Sequence, residues 1–84
     1  MKLVFSQNAW EDYCYWQKNN KKTHARINDL IHDIKRNKYQ GIGKPEPLRH
    51  NLAGYWSRRI DREHRLVYKI EGNAILIAQV RYHY

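Results

Sequence analysis

Apolar and polar positions change their period along the chain. Lys2-Leu3-Val4-Phe5 is a short branched, apolar run of the kind strands favour. Ser6 comes next and is a good helix N-cap, because its hydroxyl can accept from an orphan backbone N–H. Ala9, Trp10, Tyr13, Cys14 and Gln17 then fall at helical spacing and predict a first helix over about 7–18. The second helix has the cleaner signal. Ile27, Leu30, Ile31 and Ile34 form one apolar face and predict a helix over about 21–36. Its remaining charges, Lys21, Lys22, Arg26, Asp29, Asp33 and Lys35, read as a solvated surface.

Periodicity is lost over 37–54, where Gly41, Gly43, Pro45, Pro47 and Gly54 interrupt both patterns. So long a loop in so small a chain is uncommon, and such loops often carry function. From residue 55 the period becomes two. Strands are expected over 55–60, 64–70 and 74–82, joined by the short turns Asp61-Arg62-Glu63 and Glu71-Gly72-Asn73. The fold class is therefore α+β: a small antiparallel sheet with two N-terminal helices packed on one face. No repeat, low-complexity run or linker divides residues 1–84, so one domain is expected.

Parity along these strands predicts which side chains share a face. If Leu66, Tyr68 and Ile70 face the helices, a three-residue turn sets Ile70 opposite Ala74. Leu76, Ala78 and Val80 then join the helix face. Ile60 opposite His64 adds Trp56 and Ile60 to it. The other face collects Arg59, Arg65, Lys69, Arg81 and His83, with Ser57, Val67 and Gln79. A one-residue slip in either turn would exchange these sets.

Composition sharpens the picture. Lys and Arg number 16 against 8 Asp and Glu, a net charge of +8, which excludes a chain tuned for cationic ligands and points to a polyanion. Three Trp, seven Tyr and one Phe exclude simple disorder and suit stacking on nucleobases. No apolar run reaches the ~18 residues a membrane helix needs, and no signal peptide is visible, so the expected compartment is the cytoplasm. The single cysteine, Cys14, makes no internal disulfide and is expected to be a core thiol, as Trp10 and Tyr13 are expected to be core aromatics. His24, His32, His50 and His64 lack metal-ligand spacing, so neither metal nor other cofactor is expected. Gly41-Ile42-Gly43-Lys44 has the wrong spacing for a phosphate loop and reads as a flexible, basic loop.

Several strings together are specific. The segment 43–60, which reads GKPEPLRHNLAGYWSRRI, the run His64-Arg65-Leu66-Val67-Tyr68 and the ending Arg81-Tyr82-His83-Tyr84 resemble the YoeB-type toxins of the RelE-like family, and the aromatic start with Trp10, Tyr13, Tyr15 and Trp16 is similar. The likeness runs the length of the chain. It implies a microbial-ribonuclease-like fold, cleavage of messenger RNA in the ribosomal A site, and neutralisation by a YefM-like antitoxin with an acidic C-terminal tail. A homodimer stays open. By motif, the resemblance implies Glu46 as general base, His83 as general acid, Arg65 as transition-state stabiliser and Tyr84 as a terminal positioning group. It also implies phosphate contacts at Arg59 and at Arg49, where the family commonly carries Lys. The sheet face and the basic loop add Lys44, Lys69 and Arg81 as expected RNA contacts.

The residue types suit that chemistry. RNA supplies its own nucleophile, the 2′-hydroxyl. Cleavage then needs a base, an acid for the leaving 5′-oxygen, and cations for the charge on phosphorus. A carboxylate can be the base, and an imidazole with an ordinary pKa of ~6.5 can be the acid. Taken without the resemblance, Glu46 is an ordinary solvated loop acid, and Arg65 could simply pair with Glu63. Two other functions fit the charge: a non-enzymatic RNA- or ribosome-binding module, and a domain that binds an acidic protein partner.

Overall fold

The computed structural model describes residues 1–83, so Tyr84 lies outside the described residues. The strand β1 (Lys2–Phe5) leads into helices α1 (Gln7–Asn19) and α2 (Lys21–Arg36). A long segment then carries the two-residue strand β2 (Glu46–Pro47) and a 3-10 turn at His50–Leu52. The strands β3 (Trp56–Arg59), β4 (Arg65–Glu71) and β5 (Ala74–Gln79) complete a five-stranded sheet of order β1-β5-β4-β3-β2. The α+β architecture is as expected. Strand β1 runs parallel to β5 at one edge, and all other pairings are antiparallel.

Local chemistry explains the helix boundaries. The Ser6 hydroxyl accepts from Ala9 N–H and starts α1. Asn20 breaks the chain and its side chain accepts from Thr23 N–H, starting α2. One core lies between the helices and the sheet, built from Ala9, Trp16, Ile27, Leu30, Ile31, Ile34, Ile60, Leu66, Tyr68, Ile75, Ile77 and Val80. The apolar face expected for α2 is buried throughout. In α1 the buried aromatic is Trp16, whose Nε1 donates to Val80 O at 2.9 Å, whereas Trp10 is 49% exposed. Cys14 is only partly buried. The stripe expected for α1 is thus rotated, because its core contact is set by Ala9 and Trp16.

The β3–β4 register follows the expected parity, with Arg59 opposite Arg65 and Trp56 opposite Tyr68. The β4–β5 register does not. Glu71 faces Ala74 across a two-residue turn, and Ile70 faces Ile75. Gly72 at φ +58° makes this tighter turn possible. The slip turns β5 over, so Ile75 and Ile77 enter the core while Leu76 and Ala78 leave it. A bulge opposite Val67/Tyr68 then absorbs one residue, setting Gln79 opposite Val67 and returning Val80 to the core.

Candidate active site

Glu46 stands in β2 opposite Ser57, which is opposite Val67, which in turn is opposite Gln79. These residues form one row across the face turned away from the helices. Ser57, Val67 and Leu48 are buried yet lie outside the main core cluster, so this face is partly filled rather than flat. Arg59 and Arg65 form the neighbouring row, side by side on β3 and β4. Two like charges opposed on a sheet repel unless an anion lies between them. The Arg65 guanidinium is aimed by the β3–β4 turn: its Nη1 donates to Asp61 O at 2.8 Å and to His64 O at 3.1 Å.

The chain end returns to the same corner. Arg65 N–H donates to Tyr82 O at 3.0 Å, and Tyr82 N–H donates to His64 Nδ1 at 2.7 Å. His83 is the next residue and is exposed. Glu46 and this chain end are separated by β3 and β4, roughly 14 Å at the spacing of neighbouring strands. Glu46 and the paired arginines thus border one face, and the chain end leaves beside Arg65, where His83 lines a groove with Asn8, Glu11 and Asp12 of α1 and with Gln79. Tyr84 is not described.

The other basic residues separate into two groups. Lys44, at φ 52°, precedes β2 and is exposed, as is Arg49 at the start of the 3-10 turn. A groove of about 590 Å³ runs beside Glu46, lined by Pro47, Leu48, Arg49, His50, Asn51 and Leu52. Lys69 lies on the site face, 5.4 Å above the Tyr55 ring and 3.5 Å from Glu71. Arg81 is elsewhere. Its guanidinium stacks 3.8 Å from the Tyr15 ring and reaches Asp12 of α1 at 3.5 Å. The expectation that Arg81 joins the open face is corrected: β5 ends at Gln79, and beyond the strand Arg81 is held by the Tyr15 ring and the Asp12 carboxylate of α1.

Sequence reasoning missed Arg58. This side chain is 0% exposed on the helix side of β3. Its Nε donates to Tyr68 Oη. Nη1 donates to the Asp33 carboxylate and to Ile42 O, and Nη2 donates to Asn37 O and Gln40 O. All five N–H donors of a guanidinium are thereby used. Hydrogen bonding from Arg58 is the main cause holding the Asp33 carboxyl below its ordinary value, and burial raises the Tyr68 phenol. The segment expected to be a flexible loop is instead pinned to the sheet. Gly41 and Gly43 permit this: both have positive φ, and a Cβ at Gly41 would collide with the Asp33 carboxylate. Asp33, read from sequence as a solvated charge, is the other half of this anchor. The signal was available, since Arg58 shares its parity with Trp56 and Ile60.

The YoeB-like toxin family of bacterial type II toxin-antitoxin systems matches residues 5–84. The chain belongs to that family. It is 55% identical to Toxin YoeB of Escherichia coli K12 over the full length of both. A YoeB/ParE toxin structure from Agrobacterium tumefaciens superposes with a TM-score of 0.98 at 48% identity, covering all of both chains. A YoeB–YefM complex from Staphylococcus aureus gives a TM-score of 0.94 at 54% identity, covering all of this chain and 98% of that one. YoeB from the same organism is also solved as a dimer, with a TM-score of 0.94 at 53% identity and the same coverage. For this family member, no helix among the described residues is long and apolar enough to cross a membrane.

Proposed function

We propose that this toxin is an endoribonuclease that cuts messenger RNA in the ribosomal A site and so stops translation. The observation that carries the reading is the single sheet face bordered by Glu46 and the opposed Arg59 and Arg65, with the chain end bearing His83 leaving beside Arg65. The scissile phosphate sits on the two arginines, whose planar forks match phosphate geometry. Glu46 takes the 2′-hydroxyl proton, the 2′-oxygen attacks phosphorus, and His83 delivers a proton to the departing 5′-oxygen. Arg65 stabilises the charge that builds on the phosphoryl oxygens. Tyr84, next to His83 in sequence, serves as a terminal positioning group. Lys44, Arg49 and Lys69 hold flanking phosphates. The reaction uses no metal and leaves a 2′,3′-cyclic phosphate and a 5′-hydroxyl.

A positioned acid and base each contribute only ~10²–10⁴-fold, so orientation must supply much of the rate. Dependence on the ribosome suits a catalyst that leaves the orientation of its substrate to a larger partner. A YefM-like antitoxin with an acidic tail covers the basic face, and the free toxin forms a homodimer; in support, the S. aureus relative is solved both in complex with YefM and as a dimer. The protein acts in the cytoplasm, where ribosomes are.

Mapping of 5′ ends on messenger RNA, with and without ribosomes, tests the reading. Ribosome-dependent cuts bearing 5′-hydroxyl ends are expected, and 5′-phosphate ends would overturn it. Glu46→Gln should bind programmed ribosomes as well as the native toxin does, while cutting ~10²–10⁴-fold more slowly. A pure RNA-binding module would lose nothing by that change.

A further inference from the structure

We propose that His64 is a positioning residue: its Nδ1 holds the Tyr82 peptide and thereby sets the direction in which His83 enters the site. The proposal rests on the reading of His83 as proton donor. Tyr82 is a non-glycine residue at φ +66°, a left-handed conformation that is strained for a side-chain-bearing residue and persists only where neighbours over-determine it. Those neighbours are on hand. Tyr82 N–H donates to His64 Nδ1 at 2.7 Å, and Tyr82 O accepts from Arg65 N–H at 3.0 Å and from Gln79 Nε2 at 3.0 Å. The peptide groups on both sides of this bend are therefore held, and His83 is the next residue.

His64 is itself rigid. It is 8% exposed, and its ring meets Trp16 edge-on at 4.9 Å. Its backbone N–H donates to Asp61 Oδ1 at 2.8 Å, and its carbonyl accepts from Ile60 N–H at 3.0 Å. To accept from Tyr82, Nδ1 must be unprotonated, so the ring proton sits on Nε2, which points toward Glu63 Oε1 at 3.6 Å. The same turn also aims Arg65, through Asp61 O and His64 O. One turn thus orients both the cation under the phosphate and the tail carrying the acid.

The test compares the full chain with His64→Phe, His64→Asn and His83→Gln on programmed ribosomes. Phe keeps a ring against Trp16 but has no acceptor. Asn restores an acceptor close to the Nδ1 position. His64→Phe should lower the single-turnover cleavage rate about tenfold to hundredfold while half-saturation stays within about twofold, the pattern of a misplaced reacting group. His64→Asn should recover most of that loss. Equal loss in both variants, or native cleavage by His64→Phe beside an inactive His83→Gln, overturns the role of His64 and leaves the reading of His83 intact. Native cleavage by His83→Gln removes both. A measurement on the unaltered protein does not depend on any variant folding. Nitrogen-15 spectra of His64 should show Nδ1 as the unprotonated acceptor, and a protonated Nδ1 in the folded toxin would overturn the proposal.

Discussion

Arg58 and Arg59 are neighbours on β3 and do opposite work. Arg58 points to the helices, is wholly buried, and ties α2, the 37–43 segment and Tyr68 together. Arg59 points to the other face, is exposed, and stands beside Arg65. Two identical side chains, one residue apart, are separated by the strand's period of two into an anchor and a ligand contact. The contrast shows why a basic sequence is not a uniformly basic surface. Part of the charge is held inside, where every N–H must find an acceptor.

Breaking the buried side of that pair should do the most damage. Arg58→Ala removes one of the donors to Asp33 and the guanidinium bonds to three backbone carbonyls, and should cost about 3–5 kcal/mol in urea unfolding. Arg59→Ala should stay within about 0.5 kcal/mol of native stability while weakening ribosome binding. Similar stability losses at the two positions would erase the distinction.

Acid sharpens the same comparison. Asp33 in the folded chain lies below its ordinary 3.8, so its carboxylate contributes stability that is fully present above that value. The contribution is lost as pH falls below 3.8 through the lower folded value. Asp33→Asn should therefore be clearly less stable than native at pH 7, with the gap closing below pH ~4 in unfolding curves taken across that range. A gap independent of pH would mean that the Asp33 charge contributes nothing.

The open face is the most forgiving. Lys69→Ala removes one side chain that is only partly exposed and lies near Glu71. It should weaken ribosome binding modestly and reduce the slope of log affinity against log salt by roughly 0.7, the contribution of one phosphate contact on a single strand. An unchanged slope would take Lys69 out of the interface.

Much of this was legible beforehand, for a local reason. Ile27, Leu30, Ile31 and Ile34 repeat at helical spacing, and Ser6 can cap only a helix that begins after it, so α1 and α2 could be placed. The 43–60 and 64–68 strings carried the family resemblance. The β5 face was missed because one residue of turn length exchanges its two sides, and the bulge that returned Val80 inward has no periodic signature. Arg81 was misplaced for a different reason: it lies past the end of β5, where strand parity no longer applies and Tyr15 and Asp12 of α1 hold it. Trp10 and Trp16 are equally apolar, and only packing against Val80 and His64 selects Trp16 for the interior.

Read along the chain, the residues specify the elements, their period, the excess of positive charge and the side-chain types able to cut RNA. These depend on neighbours three or four positions apart, or on composition. Three further features exist only once the strands have paired: Glu46 and the paired arginines border one face, Arg58 anchors the core while Arg59 stands open to a ligand, and His64 grips the peptide before His83. Each depends on strand register and turn length, where one residue more or less moves a side chain to the other face.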